Sequence, residues 1–185
     1  MVSALLGQGS CSRFFHTIRE QNGLVYTIHS EYSPSESDGY FCVSAVTSRA
    51  HAADVRRLIL REFDRLKTEC PGEGEVQRFK EQFLYNYFIG TETSSDRAHM
   101  LAGQFLALGR PLSQEERQAE IEGITAEQLC EVANELFDVD RMVTIAVGDV
   151  QLEGATSPSD PLNPTLNKIS GIGDFVYLIW PLLMV

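Results

Sequence analysis

Arg19 and Tyr26 stand seven positions apart, with Asn22-Gly23 between them as a helix stop that feeds a strand-like run. An arginine at a helix end presents a planar fork of N–H donors that matches a peptide carbonyl or a C-terminal carboxylate. A tyrosine hydroxyl on the next strand can donate to an oxygen on which negative charge develops. Together they have the chemistry of a clamp on a peptide backbone. The plain alternative is a surface arginine complementing a helix dipole and a tyrosine on a half-buried strand face. Three other constellations are weaker. His16 and Glu20 lie one helical turn apart, but two ligands without a third make a poor metal site. Cys11, Ser12 and His16 offer nucleophile and base with no oxyanion donor or orienting acid. Gly7-Gln8-Gly9-Ser10 follows a helix rather than a strand and lacks the Lys-Ser/Thr ending of a phosphate loop, so it reads as a turn.

These residues need elements to hold them. Val2, Leu5 and Leu6 read as the last turn of an apolar helix stopped by Gly7 and Gly9. Phe14, Phe15 and Ile18 recur at helical spacing over residues 12–20. Residues 24–32 alternate, with Tyr26, Ile28, Ser30 and Tyr32 on one side and Val25, Thr27, His29 and Glu31 on the other. A Pro34 to Gly39 turn and the run from Tyr40 to Val46 complete an antiparallel hairpin. Ala52, Val55, Leu58, Ile59, Phe63 and Leu66 mark residues 51–67 as an amphipathic helix laid on that sheet. A second helical pattern opens near Glu75, with Val76, Phe79, Phe83, Leu84, Tyr87 and Phe88 inward, and runs to Gly109 with an interruption over 90–96. The aromatic patch of Phe83, Tyr85, Tyr87 and Phe88 is expected mostly in the core.

Ser113 and Thr125 each precede a Glu or Gln by three, the capping-box arrangement that starts a helix. Met142 to Val147 is β-branched and apolar, a buried strand. Beyond Val150, Gly154, Pro158, Pro161 and Pro164 break regular structure, and the chain closes on the apolar run from Phe175 to Val185. The expectation is a domain over 1–150, then a linker and apolar tail over 151–185. Eleven apolar residues are too few to span a bilayer as a helix, which needs about 20. That tail is expected to bind a partner or to be foreign to the fold, with addition to an open sheet edge as the other option.

The 185 residues suit one compact domain, and 43% hydrophobic with 22% charged residues is ordinary globular usage. A net charge of −11 repels a phosphate backbone and disfavours nucleic-acid binding. It favours basic peptides or simply solubility. Cys11, Cys42, Cys70 and Cys130 form no C-x-x-C pair and read as free thiols, a weak pointer to a reducing, cytoplasmic compartment that leaves a mitochondrial or periplasmic one open, since four cysteines can still pair in an exported protein. The start of the chain, Met1 to Leu6, lacks the basic and apolar regions of a signal peptide.

The order of features over about residues 1 to 150 resembles the α/β domain of the pitrilysin/insulinase family of zinc metallopeptidases, a LuxS/mitochondrial-processing-peptidase-like domain. That order is a glycine-broken turn, a helix with Arg19, Gly23-Leu24-x-Tyr26, a hairpin with Ser33-Pro34, an amphipathic helix, Thr93-Ser94-Ser95-x-Arg97, Gly109-Arg110-Pro111-Leu112, a capped helix and a final apolar strand. The resemblance implies an α+β fold, an antiparallel or mixed sheet with amphipathic helices packed on one face, here missing its first strand. It also implies pairing with a homologous domain that carries an inverted zinc motif, H-x-x-E-H. None of His16, His29, His51 and His99 sits in that motif, so the chain resembles the C-terminal-type, non-metal half. On that reading zinc is bound by the partner domain and not by this chain, and Arg19 and Tyr26 are the substrate-binding residues, reaching a peptide held between the halves. The chain alone is then inactive. The other readings are a non-catalytic scaffold subunit of the same family and a truncated, inactive fragment. An uncovered sheet edge, where the first strand is missing, would be an aggregation hazard for which the apolar tail is a candidate cover.

Overall fold

The computed structural model describes residues 1–33, 38–147 and 174–183, and the chain divides into two compact units, residues 70–130 and the remainder. The first unit is built on a four-stranded antiparallel sheet in the order β1-β2-β4-β3, from β1 (Val25–Ser33), β2 (Asp38–Thr47), β3 (Val143–Val147) and β4 (Asp174–Leu183). β1 and β2 form the expected hairpin, with Ile28 paired to Ala45 and Glu31 to Cys42. Of its turn, residues 34–37 lie outside the described residues, as do residues 148–173, which include the start of the linker and tail expected over 151–185.

Helix α2 (Ala52–Thr68) buries Val55, Ile59, Phe63 and Leu66 at the predicted three-to-four spacing. Phe63 is the centre of an aromatic core: its ring lies 4.0 Å from Phe137, 5.6 Å from Phe14 and 6.2 Å from Phe41. Edge-on and offset contacts of this kind add to the area that the rings bury. Helix α6 (Ala126–Leu136) is tied to the end of α2, because Asn134 Nδ2 donates to Lys67 O and Lys67 Nζ donates to Phe137 O. On the sheet lies α1 (Val2–Gly7), all of whose residues are buried. The approach is close: a Cβ on Gly7 would stand 2.6 Å from the Ser30 amide nitrogen, so only glycine fits. Beside it the Ser30 hydroxyl donates to Ser3 O at 2.7 Å.

In the second unit, α3 (Glu73–Ile89), α4 (Ser94–Leu108) and α5 (Gln114–Glu122) follow in order. The long helical pattern is divided where expected: Thr93 accepts from the Asp96 amide and starts α4, and Gly109 in the left-handed region ends it. Ser113 with Glu116 forms the predicted capping box, and Thr125 with Gln128 makes the same reciprocal pair of bonds.

Four expectations are corrected. Cys70 and Cys130 are not free thiols but a disulfide, with Cα atoms 5.4 Å apart, at the two ends of the second unit. Sixty residues of separation hid the pairing from any spacing rule. The aromatic patch is not core: Phe83, Tyr85 and Phe88 are exposed, and on α3 only Val76 and Phe79 are buried. The nine-residue α5 is about half as long as α3 and meets it where Lys80 Nζ donates to Glu122 O. The apolar tail is neither at an edge nor outside the fold: β4 lies between β2 and β3. Finally, β1 does not keep the predicted alternation. Val25, Ile28 and Ser30 are buried, and Tyr26, Thr27, His29 and Glu31 are exposed. The cause is a slip in pairing. Val25 faces Thr47 while Thr27 faces Val46, so Tyr26 is an extra residue in the ladder.

Candidate functional site

Arg19 belongs to a π-helical segment, Phe15–Gln21, rather than to an α-helix. Wide turns of this kind are rare and shift side chains out of the α-helical series. Bonds at its end hold the turn: the Gly23 amide donates to Arg19 O at 3.1 Å, the Leu24 amide to Ile18 O at 3.2 Å, and Asn22 Nδ2 to Thr17 O at 2.6 Å. Gly23, at φ +62°, reverses the chain into β1. On the buried side, Thr17 Oγ1 donates to the Glu62 carboxylate of α2. Arg19 itself is exposed, its guanidinium carbon 4.9 Å from the centre of the Phe15 ring. Stacking on that face orients a long side chain that would otherwise sample many rotamers.

Tyr26 is 79% exposed because the bulge turns it away from the core. Bulges characteristically re-aim one side chain in this way. The extra residue places Tyr26 with Thr27 on the open side of β1, which also carries His29 and Glu31.

An open groove of about 580 Å³ runs along this strand. Its walls are the Gly7–Ser10 turn, Phe15 and Arg19 on one side and residues 27–31 of β1 on the other. Tyr26 does not line it but adjoins its Thr27 end, and among the described residues Arg19 and Tyr26 share no hydrogen bond. β1 is an edge strand: among the described residues only β2 pairs with it. Two groove residues went unrecognised in the sequence. His29 lies 3.0 Å from the Ser44 hydroxyl, and Glu31 accepts from Tyr40 OH at 3.2 Å. No residue-type signal marks them; they join the site because the bulge brings Tyr26 to their side. Behind Glu31, burial and then its charge push the Cys42 thiol up to about 11.

The weaker constellations resolve into structure. The Ser12 hydroxyl is buried and donates to Gly9 O at 2.8 Å, holding the glycine turn. His16 Nδ1 and Glu20 Oε2 form an exposed pair at 2.9 Å. Among the described residues no group of three or more His, Cys, Asp or Glu side chains could hold a metal ion, and no helix is long and apolar enough to cross a membrane.

Residues 1–83 match the family described as the peptidase M16 inactive domain. The chain is 28% identical over 141 residues to an uncharacterized zinc protease of Rickettsia bellii, covering 74% of this chain and 33% of that protein. It is 31% identical over 126 residues to the β subunit of mitochondrial-processing peptidase from Blastocladiella emersonii, covering 68% of this chain and 26% of that one. In fold it is similar to the peptidase M16 inactive domain from Pseudomonas fluorescens, with a TM-score of 0.65 at 24% identity over 75% of this chain and 33% of that one. The chain thus spans between about a quarter and a third of the length of these relatives.

Proposed function

From the match of residues 1–83 to the peptidase M16 inactive domain, we propose that this chain is the non-metal, substrate-binding half of a zinc metalloendopeptidase, completed by a domain that carries H-x-x-E-H. The observation that carries this reading is the pairing slip that turns Tyr26 outward beside a groove walled by Arg19. An extended peptide lies along the free edge of β1, where unpaired main-chain groups can bond it. Arg19 donates its fork to a peptide carbonyl or to the C-terminal carboxylate. The Tyr26 hydroxyl, unencumbered by protein partners among the described residues, donates to the oxyanion of the tetrahedral intermediate. The H-x-x-E-H residues of the partner domain would hold zinc, which when bound would supply the activated water. Glu31 adds negative charge to the groove, and with the net charge of −11 it suits peptides with basic side chains.

The test is peptide binding to the full chain, read by fluorescence anisotropy with a labelled basic peptide. Arg19→Ala weakens it about 10- to 100-fold, the loss of a charged hydrogen-bonding group. Tyr26→Phe leaves it unchanged, because that hydroxyl acts on the intermediate. Equal affinity of Arg19→Ala and the parent chain would remove Arg19 from the site.

The second reading, a scaffold subunit, is favoured by one observation: Phe83, Tyr85 and Phe88 on α3 and Leu101, Phe105 and Leu106 on α4 are all exposed. Side chains of this kind mark a protein-binding surface where they form one contiguous patch. Turnover by the chain combined with an H-x-x-E-H half separates the two, since a scaffold supports none.

A further inference from the structure

β3 and β4 are antiparallel neighbours, and neighbours of that kind can be joined by a two-residue hairpin. Here 26 residues separate Val147 from Asp174. A connection of that length can reach at most about 90 Å, whereas a folded chain of this size has a radius of gyration of roughly 16 Å. The connection therefore does not dictate which copy of the chain supplies β4.

The sheet itself dictates that something must. β4 pairs with β2 over ten residues, Asp38 with Leu183 through Thr47 with Asp174, and with β3 over five, Val143 with Ile179 through Val147 with Phe175. Without it, β2 and β3 each present an open edge in the middle of the sheet. Phe175 to Trp180 is aromatic and aliphatic throughout, a strong strand former. Pro181 falls opposite Tyr40, beyond the end of the pairing with β3, where a strand needs N–H donors on one side only.

We propose that β4 is an exchangeable strand: two copies of this chain can swap residues 174–183 reciprocally, each filling the other's slot between β2 and β3. The register and every ladder bond are the same in the closed monomer and the exchanged dimer, so the two differ only by the cost of association. The effective concentration of a tethered strand is on the order of millimolar. Closed monomers therefore dominate well below that concentration, and exchange competes close to it.

The native Cys42 faces residue 179 across β2 and β4, which allows a direct test in the full chain. Ile179→Cys, with Cys11→Ser to remove the exposed thiol, is refolded in a glutathione redox buffer at about 10 µM and about 1 mM, below and at the tethered value. Peptide mapping then identifies the 42–179 bridge, and non-reducing gel electrophoresis with intact mass shows whether it lies within one chain or joins two. The expected result is an intrachain bridge in the dilute sample and a substantial fraction of interchain bridge in the concentrated one. Intrachain bridges alone at both concentrations overturn the exchange. A second variant, Val147→Cys/Phe175→Cys, reports on the opposite end of β4 and leaves residue 179 intact, so a folding defect at 179 does not decide the outcome. No bridge in either variant contradicts the placement of β4 itself, and the exchange with it.

Discussion

Tyr26 shows how one extra residue in a ladder decides what a side chain can do. Had β1 kept strict alternation, Tyr26 would have shared a face with Ile28 and Ser30 and been packed. The seven-residue spacing of Arg19 and Tyr26 was legible, as was the Gly23 stop between them. The bulge and the π-helical turn were not, because neither is signalled by residue type; both arise from how the backbone is held by Gly23, Asn22 and the β2 partner. Two predictions belong at this scale. Gly7→Ala puts a methyl within 2.7 Å of both the Ser30 amide and its hydroxyl, and such overpacking costs about 1–3 kcal/mol, measured by denaturant unfolding. Cys42 has its thiol held protonated in the folded chain. Its contribution to stability is fully present below the unfolded thiol value and is lost as pH rises from there through about 11. Cys42→Ala should flatten that part of the pH–stability curve relative to the parent, and in the native chain Cys42 should alkylate far more slowly than the exposed Cys11.

Among the elements, those with strong local signals were read correctly. The Ser113 and Thr125 caps, the stop at Gly109 and the α2 stripe each rest on residues close in sequence, and each is where the pattern puts it. What escaped was non-local. Cys70 and Cys130 meet only because the chain between them folds back on itself, and β4 finds its place through partners in β3 and, more than a hundred residues away, in β2. The disulfide closes the second unit at its base. In the chain-entropy account a loop of that length is worth about 4 kcal/mol. Cys70→Ser/Cys130→Ser should therefore raise amide hydrogen exchange across residues 70–130 and leave β1 and β2 protected. Equal loss of protection in both units would show that the bridge does not act on the second unit alone.

For the molecule as a whole, the proposed reading assigns zinc-protease chemistry to a partner domain; among the described residues no group of three or more His, Cys, Asp or Glu side chains could hold a metal ion. On that reading this chain contributes one wall: the edge strand β1, the groove along it, the Arg19 guanidinium and the exposed Tyr26 phenol. The most direct measurement is steady-state hydrolysis of a basic peptide by the chain combined with an H-x-x-E-H-bearing half, comparing the parent with Tyr26→Phe. Loss of one oxyanion donor lowers kcat about 10²- to 10³-fold, and KM is expected to hold steady because the hydroxyl acts only as the oxyanion forms. An unchanged kcat for Tyr26→Phe would contradict the account.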